Sequence, residues 1–394
     1  MERFVHKTLV TEPLQLKYSY YLSPKFHDNV KQRPDIPVLL FCHGYPDDAC
    51  WLSHKRNSER RLMQITDMWE SAVPSIVKQR YPMVLIDILG LGHSDKPLDP
   101  SCFRYKQQAD SLAQILDHES VKNPIVPIGH DWYVLRQPFV VRELKCRPGA
   151  PQYARGSICG TENDAWAWCS CLWIPTDQKF DLEEQNKATA GRFGYPQWEY
   201  WNFFTSPDGA EIQDQNLARM YDVNHGLYRS HVPGEEERDI WMREMFCTIG
   251  AMRLMLPMRE YVARQGKYEN FTCELKPYAR DPELKRRFIE RMKKDSFASP
   301  NNYYHSLKDD YNLEDERQLS EEDKQIRIPL LYIGQTGDWV CRTDLMSDAK
   351  GAGLIKNDLE EKVIDAGHWF LYEKPQEFSE LVIDWLGRKF SVSG

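Results

Sequence analysis

No apolar run in this 394-residue chain approaches the ~18 residues that a bilayer-spanning helix needs. The first residues (MERFVHKTLVTEP) also lack the apolar stretch and small-residue cleavage site of a secretory signal. Cysteine is sparse, at ten residues, which excludes a disulfide-dense scaffold. Cys42 and Cys341 lie in or just after apolar runs and are expected to be buried free thiols. Neither Cys169-Ser170-Cys171 nor the pair His225 and His231 has zinc-ligand spacing, so no metal is expected. Together these absences predict a cytoplasmic protein with reduced thiols, and the sequon Asn270-Phe271-Thr272 is set aside on that ground. A basic excess is missing too: 51 Lys and Arg face 59 Asp and Glu, for a net charge of −8. That argues against a nucleic-acid partner. With 21 glycines and 24 prolines the chain is too poor in both for low complexity. Mean hydropathy is low, at −0.63. What is abundant is aromatic: 12 Trp, 20 Tyr and 16 Phe must supply much of the core.

Short apolar runs bounded by Pro and Gly occur at 36–43 (IPVLLFCH), 82–88 (PMVLIDI) and 124–130 (PIVPIGH), the pattern of buried parallel strands. The pattern returns at 328–334 and 361–366. Between the second and third runs, Ala109, Leu112, Ala113 and Leu116 fall at helical spacing over 106–118. A last helix over 375–389 opens with Pro375 and puts Phe378, Leu381, Val382, Trp385 and Leu386 on one face. Strands alternating with helices at both ends predict an α/β fold with a doubly wound, mostly parallel sheet. From 165 to 322 the texture is helical, with patterns at 181–191, 209–221, 235–246 and 281–294. The expected division is therefore a core over 1–164 and 323–394, with a helical cap inserted over 165–322. Residues 155–163 (RGSICGTEN) are expected to be the next sheet strand, although they carry little apolar mass. The polar stretch 50–67 reads as a solvated surface insertion, loop or helix.

Chemistry gathers at the ends of these strands. Gly129-His130-Asp131-Trp132 follows the third run directly and precedes a helical pattern, the arrangement of a nucleophile elbow. The apex there is Asp131. A carboxylate nucleophile forms an ester with an alkyl carbon, so it suits displacement at carbon. Asp338 lies just past the run 328–334, and His368 just past 361–366. All three sit at C-terminal strand ends, where open α/β sheets bind ligands. Their order, nucleophile then acid then histidine, is that of the α/β-hydrolase triad. The backbone N–H groups of Tyr45 and Trp132 are candidates for an oxyanion hole.

The segments HGYPDDA (43–49), DILGLGHSDKP (87–97), GHDW (129–132), GDWVC (337–341) and DAGHW (365–369) resemble the epoxide hydrolase branch of the α/β-hydrolase fold, its fungal members especially. The resemblance implies hydrolysis of a small apolar epoxide to a vicinal diol without a cofactor. It implies that Asp131 attacks the ring carbon, and that His368, oriented by Asp338, activates water against the resulting ester. It further implies two cap tyrosines that hold the epoxide oxygen. Tyr200 and Tyr304 match that position, with Tyr195 and Tyr303 close competitors. His43, Pro46 and Trp132 are expected to line the substrate.

Two alternatives stay open. One is a haloalkane dehalogenase-like hydrolase, which shares the aspartate nucleophile but would need halide donors where this chain has Tyr45. The other is a non-catalytic, ligand-binding member of the fold. Its support is Tyr133, a large residue where the elbow wants a small one. The Tyr133 ring is expected to pack against the small residues of 156–160. Oligomeric state is not legible.

Overall fold

The computed structural model describes residues 4–52, 63–65, 67–131, 166–169, 177–229, 238–257 and 273–390. Eight strands form one sheet: β1 (Val5–Thr11), β2 (Leu16–Leu22), β3 (Val38–Cys42), β6 (Met83–Asp87), β7 (Ile125–His130), β8 (Trp166–Cys169), β9 (Leu330–Gln335) and β10 (Leu359–Ile364). Their spatial order is β1-β2-β6-β3-β7-β8-β9-β10. The β1–β2 and β2–β6 pairs are antiparallel, and every other pair is parallel. A short antiparallel pair, β4 (Cys50–Leu52) and β5 (Met63–Ile65), stands apart from the sheet. The ends of the 50–67 stretch are thus a strand pair, where a loop or helix was expected.

The central strands β3, β6, β7 and β9 are buried along their whole length, as apolar runs covered on both faces should be. Alternation sorts their side chains. Leu39, Phe41, Leu85, Val126, Ile128, Leu331 and Ile333 pack with Trp69, Ile76 and the Phe378, Val382, Trp385 and Leu386 stripe of helix 375–389. Val38, Leu40, Cys42, Val84 and Ile86 face the other way, onto Tyr105, Leu112 and Leu116 of helix 105–118. That second core continues without a break into Tyr200, Trp201, Phe204, Met245, Met252 and Tyr304. The aromatic residues of the middle region therefore join the same core as one face of the sheet.

Two expectations are corrected here. The strand between β7 and β9 is Trp166–Cys169, so 155–163 does not fill that slot; residues 132–165 lie outside the described ones. The tetrapeptide Trp-Ala-Trp-Cys is, in sequence, richer in apolar residues than 155–163. The helix expected over 209–221 is two, Gly209–Gln215 and Leu217–His225, divided at Asn216. Helices 182–193 and 282–295 match the periodicity closely, each with an aspartate N-cap: Asp181 accepts from the Glu184 N–H and Asp281 from the Glu283 N–H.

Candidate active site

Asp131 follows β7 with a φ of 54°. This left-handed conformation is costly for a residue with a Cβ, and it is what a tight strand-to-helix turn demands of its apex. Close approach makes a second demand. A Cβ on Gly44 would lie 2.3 Å from the Asp131 Cβ, so only glycine lets the turn after β3 come this near. The gain is a hydrogen bond: the Tyr45 N–H donates to Asp131 Oδ2 at 2.9 Å.

The other two residues of the candidate triad converge on the same place. His368 Nδ1 lies 2.6 Å from Asp338 Oδ2, and His368 Nε2 lies 3.8 Å from Asp131 Oδ1. Asp338 is itself fixed, its Oδ1 accepting from the Val340 and Cys341 N–H groups at 3.0 and 2.7 Å. All three residues are buried. Burial alone would depress the His368 imidazolium, but the charges of Asp338, Asp131 and Asp47 outweigh it and raise its pKa above the ordinary histidine value. Behind it, His130 Nε2 donates to the His368 carbonyl at 2.9 Å and supports the turn.

Tyr200 and Tyr304 stand on helices 200–204 and 302–308, with rings 5.6 Å apart and nearly perpendicular. Burial, and then the Asp131 charge, push the Tyr200 phenol well up, so it remains a proton donor at neutral pH. The competitors are occupied elsewhere. The Tyr195 hydroxyl donates to the Trp339 carbonyl at 2.9 Å and accepts from Arg342. That of Tyr303 bonds the Leu89 carbonyl at 2.9 Å.

His43 is fully buried, and its ring serves backbone: Nε2 accepts from the Ile88 N–H, so Nδ1 carries the proton and donates to the Gly44 carbonyl. Pro46 follows a cis peptide, and its carbonyl accepts from Arg291. Cys341 is disulfide-bonded, whereas Cys42, Cys102, Cys247 and Cys273 are free thiols. The expectation of reduced thiols throughout is thereby corrected. The Cys341 sulfur lies within 4.8 Å of ligand atoms of Asp338 and His368, but it is committed to its disulfide and the other two to each other. Trp132 and Tyr133 lie outside the described residues, as does the expected packing of Tyr133 on 156–160.

Sequence reasoning missed the supports. The Tyr45 hydroxyl donates to Asn301 Oδ1, Asn301 Nδ2 donates to Gln213 Oε1, and Gln213 Nε2 donates back to the Tyr45 hydroxyl, closing a buried ring of three. Asp47 accepts from Trp369 Nε1 at 3.1 Å and from the Tyr372 hydroxyl at 2.8 Å. Isolated amides and acids give no spacing signal. Only the juxtaposition in space reveals them.

Comparison with known proteins agrees with this architecture. The alpha/beta hydrolase fold family matches residues 37–132. The bifunctional epoxide hydrolase 2 of Sus scrofa is 19% identical over 377 residues, which cover 95% of this chain and 56% of that protein. This chain thus spans little more than half the length of that mammalian relative. Epoxide hydrolase B of Mycobacterium tuberculosis is 21% identical, with 89% of this chain and 91% of that one covered. Among solved structures, epoxide hydrolase A of Mycobacterium thermoresistibile is similar with a TM-score of 0.65 at 19% identity, over 98% of both chains. The chain has the α/β-hydrolase fold, and the resemblance to the epoxide hydrolase branch runs through nearly its whole length. No helix among the described residues is long and apolar enough to cross a membrane.

Proposed function

We propose that the protein hydrolyses an epoxide to a vicinal diol through an ester on Asp131. The observation that carries this reading is an aspartate in left-handed conformation at the end of β7, within reach of a His–Asp pair. Its similarity to proteins named epoxide hydrolases points the same way.

The two oxygens of Asp131 have different surroundings, and that assigns them different roles. Oδ2 accepts from the Tyr45 N–H and Oδ1 lies on the His368 side, and in this reading Oδ1 is the attacking atom. Attack by Oδ1 breaks a ring C–O bond, and a proton from Tyr200 or Tyr304 satisfies the oxygen as it departs. Water then enters beside His368 Nε2, which takes its proton while the hydroxide adds to the Asp131 carboxyl carbon. The oxyanion forms on Oδ2, where the Tyr45 amide already sits; removing one such donor typically costs ~10²–10³ in rate. Collapse breaks the Cγ–Oδ1 bond, and the departing diol oxygen takes the proton from His368. The carboxylic acid left on Asp131 returns its proton to the tyrosinate, which restores the carboxylate. In this reading the eight-stranded sheet and its flanking helices form the hydrolase core. The helices between 182 and 317 form a cap whose aromatic lining selects an apolar epoxide.

The test is His368→Gln with a panel of aryl and alkyl epoxides, read by intact and peptide mass. The variant should accumulate one epoxide-sized adduct on Asp131, while the wild type releases diol. An adduct elsewhere, or none while the wild type turns over, overturns the mechanism; halide release from haloalkanes would favour the dehalogenase instead.

A further inference from the structure

The most unusual buried charge outside the site is Lys276. Its side chain is 7% exposed, and its ammonium meets Glu373 Oε1 at 2.8 Å and Asp239 Oδ2 at 3.0 Å. Burial lowers its pKa, but Asp239 and Glu373 overcome that and hold the ammonium charged. A buried lysine with two carboxylates is an expensive arrangement for fastening two surfaces, because each ion must be stripped of water. Its neighbours suggest what the arrangement achieves. The same Glu373 oxygen that meets Lys276 also accepts the N–H of Gly367 at 2.9 Å, and Gly367 directly precedes His368. On the other arm, the Asp239 carbonyl accepts Trp339 Nε1 at 2.8 Å, and Trp339 directly follows Asp338. The two turns are also joined to each other, Gly337 N–H to the Ala366 carbonyl at 2.9 Å.

Space is arranged for the lysine as well. A Cβ on Gly367 would fall 2.0 Å from Lys276 Nζ, so the ammonium rests where any other residue would put its side chain. The Lys276 N–H bonds the His225 carbonyl at 3.0 Å, which fixes the base of the side chain in the cap. From these contacts we infer that Lys276 is a positioning residue: it clamps the cap onto the two turns that carry Asp338 and His368, and so sets the geometry of that pair. It touches neither substrate nor reacting atoms. Its effect travels through Glu373 to the Gly367 backbone, and through Asp239 to Trp339.

This inference rests on the proposed reaction only for its kinetic arm. The structural arm needs no substrate: the proton between His368 Nδ1 and Asp338, in a 2.6 Å hydrogen bond, is expected to give a downfield resonance in the free protein. In Lys276→Met that resonance should shift or broaden, whereas Lys276→Arg should restore it in part. In single-turnover experiments with an epoxide, hydrolysis of the Asp131 ester should slow by about tenfold or more, as small misplacements of catalytic groups do, with ester formation much less affected. If Lys276→Met fails to fold, Glu373→Gln replaces it, since it keeps an oxygen for the Gly367 N–H but removes the charge that Lys276 grips. An unchanged resonance in whichever variant folds overturns the inference. A resonance that moves in a protein forming no ester with any epoxide would uphold the clamp and defeat the proposed reaction instead.

Discussion

The 3.8 Å between His368 Nε2 and Asp131 Oδ1 is too long for a hydrogen bond and leaves the imidazole free to address a water molecule. Tyr200 and Tyr304 stand with their rings 5.6 Å apart and nearly perpendicular, and the Asp131 charge acts on the Tyr200 phenol. Tyr195 and Tyr303 have spent their hydroxyls on backbone carbonyls. Tyr200→Phe and Tyr304→Phe should therefore each slow ester formation, by about 10²-fold if each supplies one aimed donor, and leave ester hydrolysis nearly unchanged. Stopped-flow measurement of both steps checks this. Wild-type rates in both variants would refute the assignment.

At the scale of elements, helix 282–295 combines buried side chains, a formed N-cap and a bond to the Asp131 turn region. Helix 282–295 buries Leu284, Phe288 and Met292, and it carries Arg291 to the Pro46 carbonyl beside the Asp131 turn. Its N-cap is Asp281, which accepts the Glu283 N–H at 2.9 Å. Asp281→Ala should cost about 1 kcal/mol of stability, measurable as a lower denaturation midpoint, with the active-site turn intact. This helix was legible in the sequence because cap, Pro at N1 and apolar period agree; β3, β6, β7 and β9 were legible because apolar runs ended in Pro and Gly. The first two strands were not: Val5–Thr11 lies at the sheet edge with exposed residues on both faces, and Leu16–Leu22 carries its mass in tyrosines. The strand Trp166–Cys169 was missed because four residues offer no period to read. Within the site, motif residues could be read from local turns, whereas Lys276, Gln213 and Asn301 depend on contacts 88 to 256 residues apart in sequence.

For the whole molecule, stability should depend on pH through His225. It is buried, its ring against Trp369 and Tyr372, with Nδ1 2.9 Å from the Tyr278 hydroxyl. Burial, then the nearby charges of Lys276, Arg291 and Lys285, lower its pKa to about 3. In the unfolded chain it would titrate near 6.5. Between those values the unfolded state binds the extra proton, so acid withdraws stability, at roughly 1.4 kcal/mol per pH unit well inside the window. Denaturation midpoints should fall as pH drops from about 6 toward 4, and His225→Gln should flatten that slope. An equal slope in both proteins would show that other groups dominate.

In the proposed reaction the charge of Asp131 would also work as a clock. In the resting protein that charge, after that of Asp338, is one of those that raise the pKa of His368. Forming the ester would erase the Asp131 charge, and with it part of what favours the imidazolium. The imidazole would then give up a proton more readily at the moment when a bond exists for water to cut. In this reading the order of events needs no moving part: the first reaction would prepare the second.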